Sequence, residues 1–194
     1  MKNIKTLIAS LSVLTFVFTF SSCKKDVKED DSKEVATEQN EAKFDENDNK
    51  EDDSEFLVAA AETDLMEIEI GKLAQTKGTL QGVKDFGKML VADHTKSAND
   101  TKPFAEKLQV SLPMAITEKG KEHYDELNSQ KAGQDFDKKF ADMMVDGHQD
   151  AINKMEKASE NANDPEIRAW AAGMLPTLKM HLEHAKALQD QLNK

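Results

Sequence analysis

Four side chains in this sequence combine ligand chemistry with a shared placement: Glu67, His94, His148 and His181. Each falls on the apolar face of a different long helical stretch. Neutral imidazole and carboxylate are ligands for Zn²⁺, Mn²⁺, Fe²⁺ or Cu²⁺. At about 1.5 Å rise per residue, Glu67 and His94 lie roughly 7 Å apart in level, measured from a turn near residue 78. Measured from a turn near 163, His148 and His181 differ by roughly 5 Å. All four therefore sit near mid-bundle, where helical bundles place metal sites. Two readings stay open. One is a mononuclear site for a divalent transition metal. The other is a set of hydrogen-bonded core histidines with Glu67 as a partner. A two-metal oxidase is not expected, because Val91, Val145 and Leu178 stand where Glu-x-x-His pairs need a carboxylate.

The remaining candidates carry less. His184 follows His181 by one turn but at the edge of the face, so it reads as solvated, and His123 belongs to a short outer helix. Met66, Met89, Met143, Met144, Met155, Met174 and Met180 could suggest Cu(I), yet they recur at core spacing and read as packing. Pro176 should free the carbonyl of Ala172 and kink its helix. No Gly-rich phosphate loop is present, so no nucleotide cofactor is expected, and no nucleophile motif assigns a catalytic residue. A non-catalytic binding or envelope stress role is the expectation, with a metal-binding or redox protein as the alternative.

Helices are needed to position these groups, and the composition supplies them. Residues 54–194 are rich in Ala, Leu, Met, Lys and Glu, with one tryptophan and one tyrosine. Long helices are predicted over about 54–77, 80–109, 134–161 and 165–192, with a short one near 117–131. Asp164, Pro165 and Glu166 form a helix start of N-cap, N1 and first-turn acid. Helical spacing puts Val83, Phe86, Leu90 and His94 on one inward face, and Phe136, Phe140, Met144, His148 and Ile152 on another. A third carries Ile167, Ala171, Leu178, His181 and Ala185. Short loops make two antiparallel hairpins. The fold class is all-α, a four-helix bundle with a short connecting helix. A weak repeat at an offset of 54 pairs Lys84, Phe86, Met89, Val91 and His94 with Lys138, Phe140, Met143, Val145 and His148; duplication of a hairpin and coincident periodicity both explain it.

The first 53 residues read differently. Lys2 and Lys5 precede an apolar run from Leu7 to Phe20, too short to span a bilayer comfortably, so residues 1–22 read as a signal peptide. Cys23, the only cysteine, follows Ser21 and Ser22. Thr19-Phe20-Ser21-Ser22-Cys23 resembles a bacterial lipobox, with Phe20 where leucine is usual, which implies that Cys23 is the lipidated first mature residue. Residues 24–53 hold 13 acidic and 6 basic side chains and few large apolar ones, and are expected to form a disordered tether. Lys24-Lys25-Asp26 and the acids after it resemble the export signals of Bacteroidetes surface lipoproteins. The expected location is the outer membrane, facing the periplasm or the surface, with the membrane reached through the lipid.

The formal charge is −11, which argues against nucleic acid, whose binding needs basic patches. It names no protein partner.

The domain resembles the ferritin-like family catalogued as domain of unknown function 4142. The carrying pieces are Met66 to Ala74, Val83-Lys84-Asp85-Phe86, Val91-Ala92-Asp93-His94-Thr95, Leu112-Pro113, Gly133 with Phe136-Asp137, His148, and Leu175-Pro176-Thr177-Leu178 with His181. The resemblance covers about 56–190. It implies a ferritin-like four-helix bundle in an exported protein and no particular reaction.

Overall fold

The computed structural model describes residues 31–194. Residues 1–22, read from sequence as a signal peptide, and Cys23 lie outside the described residues. Six helices follow in order: α1 (Ser32–Phe44), α2 (Asp48–Lys77), α3 (Gln81–Leu108), α4 (Glu118–Asn128), α5 (Gln134–Asn161) and α6 (Pro165–Leu192). Among the described residues there is no strand, and no helix is long and apolar enough to cross a membrane.

The bundle is made of two hairpins, α2–α3 and α5–α6, packed face to face. Phe86 from α3 meets Phe140 from α5 edge-on, with ring centroids 5.8 Å apart. Around them Ile70, Val83, Leu90, Phe136 and Met144 are buried. Within the first hairpin the backbones come unusually close. A Cβ on Gly71 would lie 2.7 Å from the carbonyl oxygen of Gly87, and a Cβ on Gly87 would lie 2.7 Å from that of Gly71. Only glycine fits on both sides of such a contact.

Each hairpin turn is capped by a buried aspartate of the other hairpin. Asp137 on α5 accepts from Thr79 N and Leu80 N at 3.0 and 2.9 Å, at the α2–α3 turn. Asp53 on α2 accepts from Asn163 N and Asp164 N at 2.7 and 2.8 Å, at the α5–α6 turn. Main-chain donors at a turn have no helical partner, so a carboxylate there satisfies two at once. A shift of 84 positions carries Asp53 onto Asp137, Thr79 onto Asn163, Leu80 onto Asp164 and the start of α3 onto the start of α6. That relation equates the two hairpins helix by helix. The offset of 54 instead lays α3, a second helix, on α5, a first helix. Hairpin duplication cannot produce that pairing; two core faces sharing one period do.

The helix limits follow the sequence expectation closely for α3, α5 and α6, including Asp164 as N-cap and Pro165 in the first turn. The helix continues through Pro176 to Leu192. The N-terminal expectation needs correction. Residues 32–53 are not a free tether: α1 and the first turns of α2 occupy them. Asp31 caps α1 by accepting from Lys33 N. Ala36, Asn40 and Phe44, one turn apart, form the buried face. Asn40 exchanges two hydrogen bonds with the main chain of Ser111, at 2.9 and 2.7 Å. Ser32 Oγ accepts from Met114 N, and Lys33 pairs with Glu62 at 2.7 Å. The domain thus includes residues 32–53, ahead of the expected start at 54. This docking uses a small residue, an amide and one ring, so it leaves almost no hydropathy signature.

Candidate metal centre

Three of the four sequence candidates meet. His94 from α3, His148 from α5 and His181 from α6 each offer one ligand atom, and these lie within 4.8 Å of one another. All three rings are at most 3 % exposed. The ring of His181 packs edge-on to His148, centroids 5.1 Å apart, and His94 lies 5.7 Å from His181. Phe86 forms the floor, 6.1 Å from His148 and 5.9 Å from His181.

Each ring is held by its outer nitrogen. His94 Nδ1 lies 2.8 Å from Asp64 Oδ1. His148 Nδ1 lies 2.9 Å from the Met144 carbonyl oxygen, which can only accept, so this nitrogen carries the proton. His181 Nε2 lies 2.9 Å from Asp93 Oδ2. Outward N–H groups leave three inward lone pairs: His94 Nε2, which has no hydrogen-bond partner, and His148 Nε2 and His181 Nδ1, 3.2 Å apart. A carboxylate or carbonyl behind each ligating imidazole is the usual way a metal site fixes tautomer and ring orientation.

The protonation states agree for two of the three rings. Burial pushes the His148 imidazole down to about 3, helped by His94 and His181. Burial also lowers His181. His94 goes the other way: burial opposes its charge, but the hydrogen bond to Asp64 and the nearby Glu67 raise it. Burial raises both Asp64 and Glu67, against the pull of His94.

Glu67 is buried beside the cluster, 2 % exposed, but is not among the atoms within ligand distance of all three rings. Its Oε2 has no partner, and its Oε1 would lie 3.6 Å from a Cβ on Gly147. The carboxylate that reaches His94 is Asp64, one turn earlier on α2, which removes most of the level difference seen between Glu67 and His94. Asp64 and Asp93 were not singled out by sequence. The signal for Asp64 is its spacing of three from Glu67 in an apolar stretch, which puts both on one face. Asp93, flanking His94 and half-exposed, offers no signal of its own. His184 is exposed and His123 half-buried; the His184 ring packs on Phe86 at 5.9 Å, and neither residue belongs to the three-histidine group.

A cavity of about 360 Å³ opens beside the centre, with Asp64, His94 and Ser97 among its lining residues.

Fold and site together define an all-α helical bundle with a buried three-histidine cluster. The chain belongs to the family described as Domain of unknown function (DUF4142), whose pattern matches residues 36–188. Among solved structures it is similar to CopM in the Cu(II)-bound form, with a TM-score of 0.61 and 16 % identity, over 72 % of this chain and 96 % of that one. No curated protein matches it.

Proposed function

We propose that this protein binds one divalent transition metal ion through His94, His148 and His181. The observation that carries the reading is the facing pair His148 Nε2 and His181 Nδ1 at 3.2 Å. Both outer nitrogens are taken up by acceptors, so two lone pairs point at each other in a buried space. A metal cation between them removes that repulsion, as would a proton on His181 Nδ1. A proton is disfavoured, because burial lowers both rings. A tetrahedral ion with bonds of about 2.0–2.1 Å holds two nitrogens about 3.3 Å apart, close to the spacing found. Imidazole ligation suits copper and zinc, and the Cu(II)-bound state of the structural neighbour makes copper the first ion to try. With no bridging carboxylate in the set, the site is mononuclear. Its role is binding, and no catalytic residue is assigned. In this reading the signal sequence and Cys23 place the centre in the cell envelope, lipid-anchored at the outer membrane. Ferritin-like ancestry is part of the same proposal.

The test is elemental analysis of the mature chain, purified without a histidine tag and dialysed against copper or zinc. One equivalent is expected in the wild type and less than a tenth of that in His148→Ala. Equal metal content in the two proteins rejects the site.

A further inference from the structure

Rings this deeply buried need a way in for an ion. On the outer side of His181 the hydrogen bond to Asp93 occupies Nε2. A second cleft, of about 270 Å³, lies between α2, α4 and α5. Asp146 and Asp150 stand exposed along it, beside Lys119 and Lys154. Two carboxylates in this cleft are buried, and they are not alike. Glu62 is taken up by Lys33 and by the Thr117 hydroxyl, at 2.7 and 2.9 Å. Glu67 has no partner for Oε2, and a buried polar atom left so is costly. Its Oε1 faces half-buried Gly147, another residue of the cleft. A Cβ on Gly147 would stand 3.6 Å from that oxygen, with no other atom of a neighbouring helix within 4 Å. The missing side chain therefore leaves the carboxylate open toward the cleft. On its other side Glu67 is close enough to His94 for their charges to interact.

We propose that a divalent metal ion enters through this cleft and that Glu67 takes it up there and passes it to His94. The route rests on the metal reading given above and adds to it the path and the residue that serves it. Glu67 is a transfer residue and not a fourth permanent ligand, since it is outside the group of atoms that meet at the three rings. The step is ligand exchange. A carboxylate oxygen replaces water on the ion, and His94 Nε2 then replaces the oxygen, with no change of oxidation state. The rival path is the larger cavity on the other side of the centre, which also reaches His94. Phe56, Ala59, Ala60, Met155 and Leu178 line that path, and apolar walls give a partly dehydrated ion nothing to bind. Its buried carboxylate, Asp64, is already held by His94. A transfer residue lowers the barrier in both directions, so it sets how fast the ion enters and leaves and not how tightly it is held.

The experiment mixes the full mature chain with Cu(II) in a stopped-flow instrument and follows the imidazole-to-copper absorption. Release is followed after adding excess EDTA, and affinity is measured separately by chelator competition. Glu67→Gln keeps the volume and removes the charge. Gly147→Leu blocks the cleft in front of the carboxylate. Each should slow loading and release at least tenfold while affinity stays within threefold of the wild type. Ala59→Leu, in the larger cavity, should load at the wild-type rate. Loading within twofold of the wild type in either cleft variant overturns the route. Equal slowing in Ala59→Leu overturns it too, by assigning entry to the larger cavity. A tenfold loss of affinity in Glu67→Gln at an unchanged loading rate makes Glu67 a ligand and overturns the transfer role. If Glu67→Gln does not fold, Gly147→Leu decides alone. A wild type that takes up no copper at equilibrium overturns the metal centre and the route together; one that loads fully, with both cleft variants at its own rate, loses the route alone.

Discussion

His148 shows most plainly what its surroundings do to a side chain. It is 1 % exposed, its Nδ1 proton is given to Met144, and no carboxylate touches it. Holding the ring near pKa 3 ties stability to pH with a definite sign. The unfolded ring takes a proton at about 6.5 and the folded ring does not until about 3, so the unfolded state binds more protons between those values. This contribution is fully present above about 6.5 and is lost as pH falls through that window. At pH 5 the loss is about 2 kcal/mol, at 1.36 kcal/mol per unit. Asp64, Glu67 and His94, all raised, oppose it, since they favour the fold as pH falls. The His148 part is isolated by comparison with His148→Gln. Urea unfolding of the metal-free proteins at pH 7 and 5 should show the wild type losing about 2 kcal/mol more than the variant. Equal losses would mean the ring titrates normally. Asp64 makes a second residue-scale case. Asp64→Asn keeps the volume but removes the charge behind His94, and a second partner of this kind is typically worth 10–100-fold in metal affinity. Competition with a chromophoric chelator measures it; an affinity within twofold of wild type would remove Asp64 from the centre.

At the scale of elements, helices with a strong apolar stripe were legible and the weakly apolar one was not. Phe136, Phe140, Met144, His148 and Ile152 fall at core spacing along α5, and the expected limits match the helix found. The histidines were legible for the same reason: each interrupts such a stripe at a matched level. Asp64 was not, because α2 is apolar over much of its circumference and its register cannot be read from hydropathy. Nor was α1, whose buried face is Ala36, Asn40 and Phe44, docked largely by hydrogen bonds to Ser111 and Met114. The first six residues of α2 went unread too, since the value of Asp53 lies in a turn 110 residues away. Two predictions follow from these contacts. Removing residues 24–47 should lower the thermal midpoint by several degrees, because a docked helix and its partners are lost. An unchanged midpoint by circular dichroism would show α1 to be a passive strap. Gly87→Ala should cost about 1–3 kcal/mol, since a methyl 2.7 Å from a main-chain oxygen forces α2 and α3 apart. A cost near zero would mean the hairpin separates freely.

Across the whole molecule, the centre joins what the chain keeps separate. His94 belongs to the α2–α3 hairpin, while His148 and His181 belong to α5–α6. The direct ties between hairpins include aromatic contacts in the core, the two aspartate caps at opposite turns, the His181–Asp93 hydrogen bond and the ion pairs of Lys107 with Asp164 and Glu166. An ion bound by all three rings adds a tie at mid-bundle, between those capped ends. The ligands come together only in the fold, so the ion stabilises the folded state alone, by RT ln(1 + [L]/Kd). At one hundred times Kd this is about 2.7 kcal/mol, which raises the melting midpoint by several degrees in a domain of this size. The metal-dependent rise should vanish in His94→Ala and in His148→Ala alike, although the two residues sit in different hairpins. The rings could instead serve only as core packing. Copper would then change neither midpoint, and each substitution would cost the same stability with chelator as with metal. Melting curves of the wild type and both variants, each with copper and with chelator, separate the two cases. A rise that survives in either variant would place the ion elsewhere and leave the three-histidine centre without its assigned role.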